Sequence, residues 1–226
     1  MKKNIVISIL LLFCVAFVAQ QVDAESKIAR RISQKAHASQ SASSVSDDEA
    51  IDLGLSVKWA SHNFGTSLSQ STGGYYSWGE MVAKSDFSAG EYKYTESSSS
   101  CTDIGSDISG TRYDIVRATW GGAWRMPTIA EFQELVDKCT WKWITFKGVE
   151  GMKVVGPNGN SIFLPFAGYR EGTDLRDGGA YGYYWSGTLD SKTSVAAHRL
   201  QICIYGNYSC DESSSRYQGF SIRPVK

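Results

Sequence analysis

Apolar residues recur with two different periods along this chain, and the change of period divides it into elements. In Leu53 to Ala60 (LGLSVKWA), Leu53, Leu55, Val57 and Trp59 occupy alternate positions, which predicts a half-buried strand. The aromatic-rich GGYYSWGE, Gly73 to Glu80, is entered through a Gly-Gly turn, and the polar stretch Ser97 to Gly110 reads as a surface loop. Arg112 to Thr119 predicts a short helix that Gly121-Gly122 stops. A second helix starts at Thr128, because Thr128 and Glu131 have the spacing of a capping box. Phe132, Leu135, Val136 and Cys139 then fall at i, i+3, i+4 and i+7, an apolar stripe on one face.

Beyond this helix the period shortens to two. Gly151 to Val155 and Ser161 to Leu164 flank Asn158-Gly159, a favoured hairpin turn because both residues tolerate positive φ. Ala197 to Tyr205 alternates His198, Leu200, Ile202 and Ile204 against Arg199, Gln201, Cys203 and Tyr205. Gly219 to Val225 is a last strand, whose Pro224 places its end at a sheet edge. One strand, two helices and then several strands predict an α+β domain.

Composition sets the limits of that domain. Lys2 and Lys3, the apolar run Ile5 to Ala19 and the small residues around Ala24 have the order of a signal peptide over 1–24, with cleavage after Ala24. Residues 25–50 are rich in Ser, Ala and Gln and lack aromatics, the composition of a disordered tether. All seven tryptophans and every tyrosine lie beyond Ile51, so residues 51–226 form one domain with a sizeable core. Removing Lys2, Lys3 and Asp23 from the 23 basic and 23 acidic residues leaves 21 and 22, a formal net charge of −1. No Lys/Arg cluster marks a nucleic-acid footprint, and no other apolar run is long enough to span a membrane in the mature chain. The expected product is exported: periplasmic, cell-surface or extracellular. In an oxidising compartment Cys101, Cys139, Cys203 and Cys210 can form two disulfides, in any of three connectivities.

The chemistry-bearing residues point to binding more than to catalysis. There is no HExxH, GxSxG or P-loop, and His37, His62 and His198 share no spacing, so neither a catalytic nor a metal centre is assigned and no cofactor is required. Asp174 and Asp177 lie in an Asp/Gly-rich turn that lacks the ligand series of a calcium loop. In WGGAWRMPT, Trp120 to Thr128, Arg125 has two readings: a cation holding an anionic ligand between Trp120 and Trp124, or a joint residue bonded to loop carbonyls. Its place just before a capped helix favours the joint. The C-terminal third carries Tyr181, Tyr183, Tyr184, Trp185, His198, Arg199, Tyr205, Asn207, Tyr208, Arg216 and Tyr217 on turns and strand ends. Trp185 is read as core. For the exposed remainder, Tyr and Arg on rigid loops give large contact area at low entropy cost. A ligand surface is therefore expected from Tyr181, Tyr183, Arg199, Tyr205, Asn207, Tyr208, Arg216 and Tyr217, with a protein or glycan as ligand.

Several blocks also carry a family likeness. WRMPTIAEFQELVD resembles a motif of the formylglycine-generating-enzyme group. DLGLSVKWA, YYSWGE, WGGAWRMPT, CTWKW, NGNSIFLPFAGYR, YYWSG and RYQGFSIRPV, in that order, resemble bacterial secreted domains of the Fibrobacter succinogenes major paralogous type. The resemblance covers nearly all of Ile51 to Val225. It implies a C-type-lectin-like fold with paired N- and C-terminal strands, two short helices on antiparallel sheets and a long irregular loop region, and it implies no particular activity. The enzyme likeness implies an alternative, a divergent formylglycine-type copper oxidase using Cys203 and Cys210 upstream of Gly219-Phe220; a cross-strand disulfide between those two cysteines is the competing expectation. Related domains often carry a cysteine in the block where this chain has His62, which leaves Cys139 to pair with Cys101 or to stand as a small apolar side chain. A structural surface component is a further alternative.

Overall fold

The computed structural model describes residues 49–210 and 212–226. The expected signal peptide and nearly all of the tether lie outside the described residues. The last two tether positions do not: Ala50 opens a strand, and Glu49 accepts from the Ser61 amide and meets His62 Nε2 at 2.8 Å.

The fold is α+β. It begins with a hairpin of β1 (Ala50–Asp52) and β2 (Lys58–Ala60), not with one continuous strand. The alternation in LGLSVKWA is real at Leu53 and Trp59, both fully buried, but Gly54 adopts φ +76° and donates to the Asp52 carboxylate at 2.8 Å, which turns the chain between them. Residues 61–114 are largely irregular, with one 3-10 turn and the ribbon β3 (Thr95–Ser97) and β4 (Ser100–Cys101). Two helices follow, α1 (Ile115–Trp120) and α2 (Ile129–Lys138). In α2 the Thr128 side chain accepts from the Glu131 amide while the Glu131 carboxylate reaches back to the Thr128 amide. Phe132 and Leu135 on its apolar stripe are fully buried.

After α2 comes an antiparallel sheet of β5 (Thr140–Phe146), β6 (Val149–Val155) and β7 (Ser161–Pro165). The β6–β7 hairpin lies where Asn158-Gly159 predicts it, although only Gly159 takes positive φ; the Asn158 amide bonds the Asp52 carbonyl instead. Lys147 and Gly148, at φ +49° and +81°, provide the two-residue turn between β5 and β6. An exposed hairpin, β8 (Tyr169–Glu171) and β9 (Asp174–Arg176), precedes the last sheet, in which β10 (Tyr181–Leu189) pairs with β11 (Ala196–Cys203) and β11 with β12 (Tyr208–Ser209) and β13 (Ser213–Ser215).

The β10–β11 sheet is covered on both faces, so its burial does not alternate cleanly between core and solvent. One face carries Tyr184, Leu200 and Ile202 into a core with Phe132, Leu135, Met152, Val154 and Trp59. The other carries Trp185 and Ala197 into a second core with Trp78, Trp124, Tyr92, Ile108 and Phe220. The closing segment runs between the two. Lys58 and Lys226 exchange backbone hydrogen bonds at 2.9 Å, Ala60 donates to the Pro224 carbonyl, and Val225 bridges both Trp59 and Arg125. The two ends of the domain are therefore paired. Among the described residues no helix is long and apolar enough to cross a membrane.

Candidate functional site

The WGGAWRMPT segment is a joint. Gly121 ends α1 at φ +69° with its amide on the Arg117 carbonyl, Trp124 is buried, and Arg125 exchanges backbone bonds with Val225. The Arg125 guanidinium engages both Glu131 oxygens, at 2.8 and 2.5 Å, and the Met126 carbonyl. This carboxylate raises the Arg125 pKa and occupies the fork that an anionic ligand would need. The residue that organises the joint is Asp114, fully buried, whose carboxylate accepts from the amides of Gly110, Val116, Arg117 and Met126. Burial raises its pKa even against those four donors.

Aromatic side chains are concentrated on one face of the β10–β11 sheet. Successive β10 residues point to opposite faces, so Tyr181, Tyr183 and Trp185 share a side with Cys203, Gln201 and Arg199, their partners in register. Tyr181 and Tyr183 stack at 6.1 Å and 18°. Tyr169, from the base of the β8–β9 hairpin, meets Tyr183 edge-on at 5.0 Å, and Phe220 backs both rings. Arg199 lies 5.0 Å over the Tyr183 ring and is held by Ser214 and Glu212, each at 2.6 Å. Among the described residues its buried Nη1 meets no hydrogen-bond partner. The Tyr183 hydroxyl donates to Asp177 at 3.1 Å; burial, then that carboxylate, raises its pKa, so the phenol stays neutral. The result is a ledge of three half-buried rings, Tyr169, Tyr181 and Tyr183.

The predicted ligand residues do not form one surface. Tyr181, Tyr183 and Arg199 come together on the ledge, although Arg199 is a buried support. Tyr208 pairs in register with Ile202, so it belongs to the opposite face, where it stacks on Trp141 at 4.5 Å and 15°. Tyr205 and Asn207 are exposed at the hairpin tip between the two faces; the tip begins where Ile204 donates to the Ala180 carbonyl beside the ledge. Arg216 is a correction. At 1 % exposure it bonds Tyr92, Thr102 and Ser194 and packs 4.7 Å over Trp78, so no ligand reaches it. Tyr217 is half-buried, with its hydroxyl 3.4 Å from Glu171.

The cysteines also depart from expectation. All four stand as thiols. Cys203 lies opposite Tyr181, while the β11–β12 register, continued by one residue, sets Cys210 opposite Leu200. An odd offset puts the two sulfurs on opposite faces, Cys203 toward the ledge and Cys210 in the core at 3.0 Å from Gln133 Oε1. The Cys203–Cys210 disulfide is not formed for that reason. Among the described residues no group of three or more His, Cys, Asp or Glu converges to hold a metal. Asp174 pairs with Arg176 while Asp177 turns to Tyr183.

Sequence reasoning missed Tyr169, Asp177 and Glu212 as ledge components, because strand pairing brings in Tyr169 and Glu212 while Asp177 reads as a turn residue just before β10. It also passed over Trp141 and Trp143, whose alternation around Lys142 signals a strand with both indoles on one face. Comparison of the chain with family models, with curated proteins and with solved structures returns no match.

Proposed function

We propose that the chain is an exported bacterial binding or adhesion-type module of C-type-lectin-like architecture, related to the major paralogous type, which recognises a protein or glycan through its aromatic C-terminal surface. The paired ends of the domain, the two helices and the irregular 61–114 region support that architecture. The observation that carries the binding reading is the ledge itself. Three rings are held at fixed angles by one another, by Phe220 and by Arg199, while all three remain partly accessible. Aromatic side chains immobilised before binding contribute contact area without a large ordering cost. The copper-oxidase alternative draws no support from two thiols on opposite faces of a sheet.

The test is a screen of the full chain against a glycan array and a panel of cell-surface proteins, repeated with Tyr181→Ala and Tyr205→Ala. Replacing an aromatic anchor at a binding centre costs about 2 kcal/mol or more, so affinity for a true ligand falls at least about thirtyfold in one of the two variants. A ligand whose affinity both changes leave intact would remove the site from this surface.

A further inference from the structure

Among the described residues Trp143 is the most exposed aromatic side chain after Tyr205: 52 % of it remains accessible, on an edge strand. It shares a face of β5 with Trp141, since the two pair with Met152 and Val154 on β6. Both partners are buried in the core. Trp141 is capped by Tyr208, but Trp143, roughly 7 Å further along the strand, meets no other aromatic ring among the described residues. It is nevertheless fixed. Its indole N–H donates to Glu150 Oε2 at 2.5 Å, and the other Glu150 oxygen accepts from the Thr145 hydroxyl at 2.5 Å. A half-accessible ring is thus pinned beside β6 by a polar bond at its edge, with its internal donor already satisfied.

The surrounding charge narrows what such a ring can receive. Lys142 and Lys153 face each other in register on the reverse side of the sheet, and Lys147 folds over Phe146 on that same side. The ring face of β5 and β6 therefore presents aromatic surface and one carboxylate, with the lysines of both strands turned away. A polyanion finds no counter-charge there and meets Glu150. A neutral pyranose fits both features: its C–H face lies against the electron-rich ring, and its rim of hydroxyls can donate to a carboxylate. Tyr208 ties the platform to the hairpin tip, where exposed Tyr205 and Asn207 add an aromatic and an amide group.

We propose that Trp143, braced by Glu150 and by the Trp141–Tyr208 stack, is a stacking platform for a neutral saccharide. This rests on the binding-module reading and deepens it, by naming the ligand class and by moving the primary contact from the tyrosine ledge to the sheet edge.

The experiment uses the full chain with neutral hexasaccharides (cello-, chito-, manno-, xylo- and laminari-hexaose) and with two acidic polymers, polygalacturonic acid and hyaluronan. Binding is followed by tryptophan fluorescence and calorimetry. At least one neutral hexasaccharide binds. Trp143→Ala weakens it tenfold or more, a loss of about 1.4 kcal/mol, and Trp143→Phe weakens it less. The thermal midpoint of Trp143→Ala stays within about 2 °C of the parent, since the ring is half exposed. Binding that survives Trp143→Ala but fails in Tyr181→Ala overturns the platform and leaves the binding-module reading standing. Binding of only the acidic polymers, or of only a protein from the cell-surface panel, does the same. Silence in every screen overturns both.

Discussion

Among the described residues three arginines are withdrawn from solvent, and each is accommodated by different chemistry. Arg199 keeps a carboxylate partner, Glu212. Arg216 is surrounded by ring faces and carbonyls, and Arg223 bonds Asn63 and the carbonyls of Ala60 and Phe163. Burial brings Arg223 down to about 10, so it remains cationic at neutral pH. The sequence offers nothing that distinguishes Arg216 from an exposed arginine beside a tyrosine, because its partners come from residues 78–102 and 194. Cysteine behaviour is set equally by surroundings. Burial, with Glu134 nearby, pushes the Cys139 thiol up to about 11, against about 8.5 in an unfolded chain. The folded state thus holds its proton across the window from about pH 8.5 to 11, so the stability this group contributes is intact below that window and declines through it. At pH 8 the thiolate is scarce in the native protein. We expect Cys139 to react with a disulfide reagent on the order of a hundredfold more slowly than in 8 M urea, as read by peptide mapping of the modified chain. Equal rates in the two conditions would contradict its placement.

At the scale of elements, what was legible is what local residues decide. Thr128 and Glu131 announce α2 because both capping partners lie within one turn, and its stripe correctly puts Phe132 and Leu135 in the core. The split of Leu53 to Ala60 was not legible, since alternation cannot reveal a turn made by Asp52 and Gly54. The candidate surface shows the same limit. Which residues of Ala197 to Tyr205 share a face follows from their parity, but whether Tyr208 joins them depends on a register that no local signal fixes. Asp114 is an intermediate case: the sequence places it inside a helix from Arg112, whereas it caps α1 at Ile115, and two of its four amide donors, Gly110 and Met126, lie outside that helix. It therefore anchors an element pair, not a single helix. Asp114→Ala is expected to lower stability by about 3 kcal/mol, more than the ~1 kcal/mol of an ordinary cap, because several buried donors lose their acceptor together. Asp114→Asn retains an acceptor and loses less. Urea midpoints of the two variants measure this directly, and a loss for Asp114→Ala no larger than for a simple cap would mean that the loop amides find other acceptors.

Across the whole molecule, the two cores cannot come apart independently. Consecutive residues of β10, Tyr184 and Trp185, enter different cores, so one strand belongs to both. The closing segment repeats the arrangement, with Phe220 and Ile222 on one side and Val225 on the other. Freeing either core exposes the reverse of a sheet and of a segment that the other still requires, and the apolar area lost makes a half-folded state unfavourable. The domain should unfold in one transition. Tryptophan distribution makes this testable, because Trp78, Trp124 and Trp185 report on the first core and Trp59 and Trp141 on the second. Keeping the tryptophans of one core and replacing the others by Phe isolates the signal of that core, and each fluorescence melt should coincide with far-UV circular dichroism in the same variant. Val225→Ala supplies the decisive comparison. Val225 is fully buried in the second core only, and its truncation costs about 1–3 kcal/mol. A coupled molecule lowers the midpoint reported from both cores by the same amount, whereas separable cores leave the first-core signal where it was.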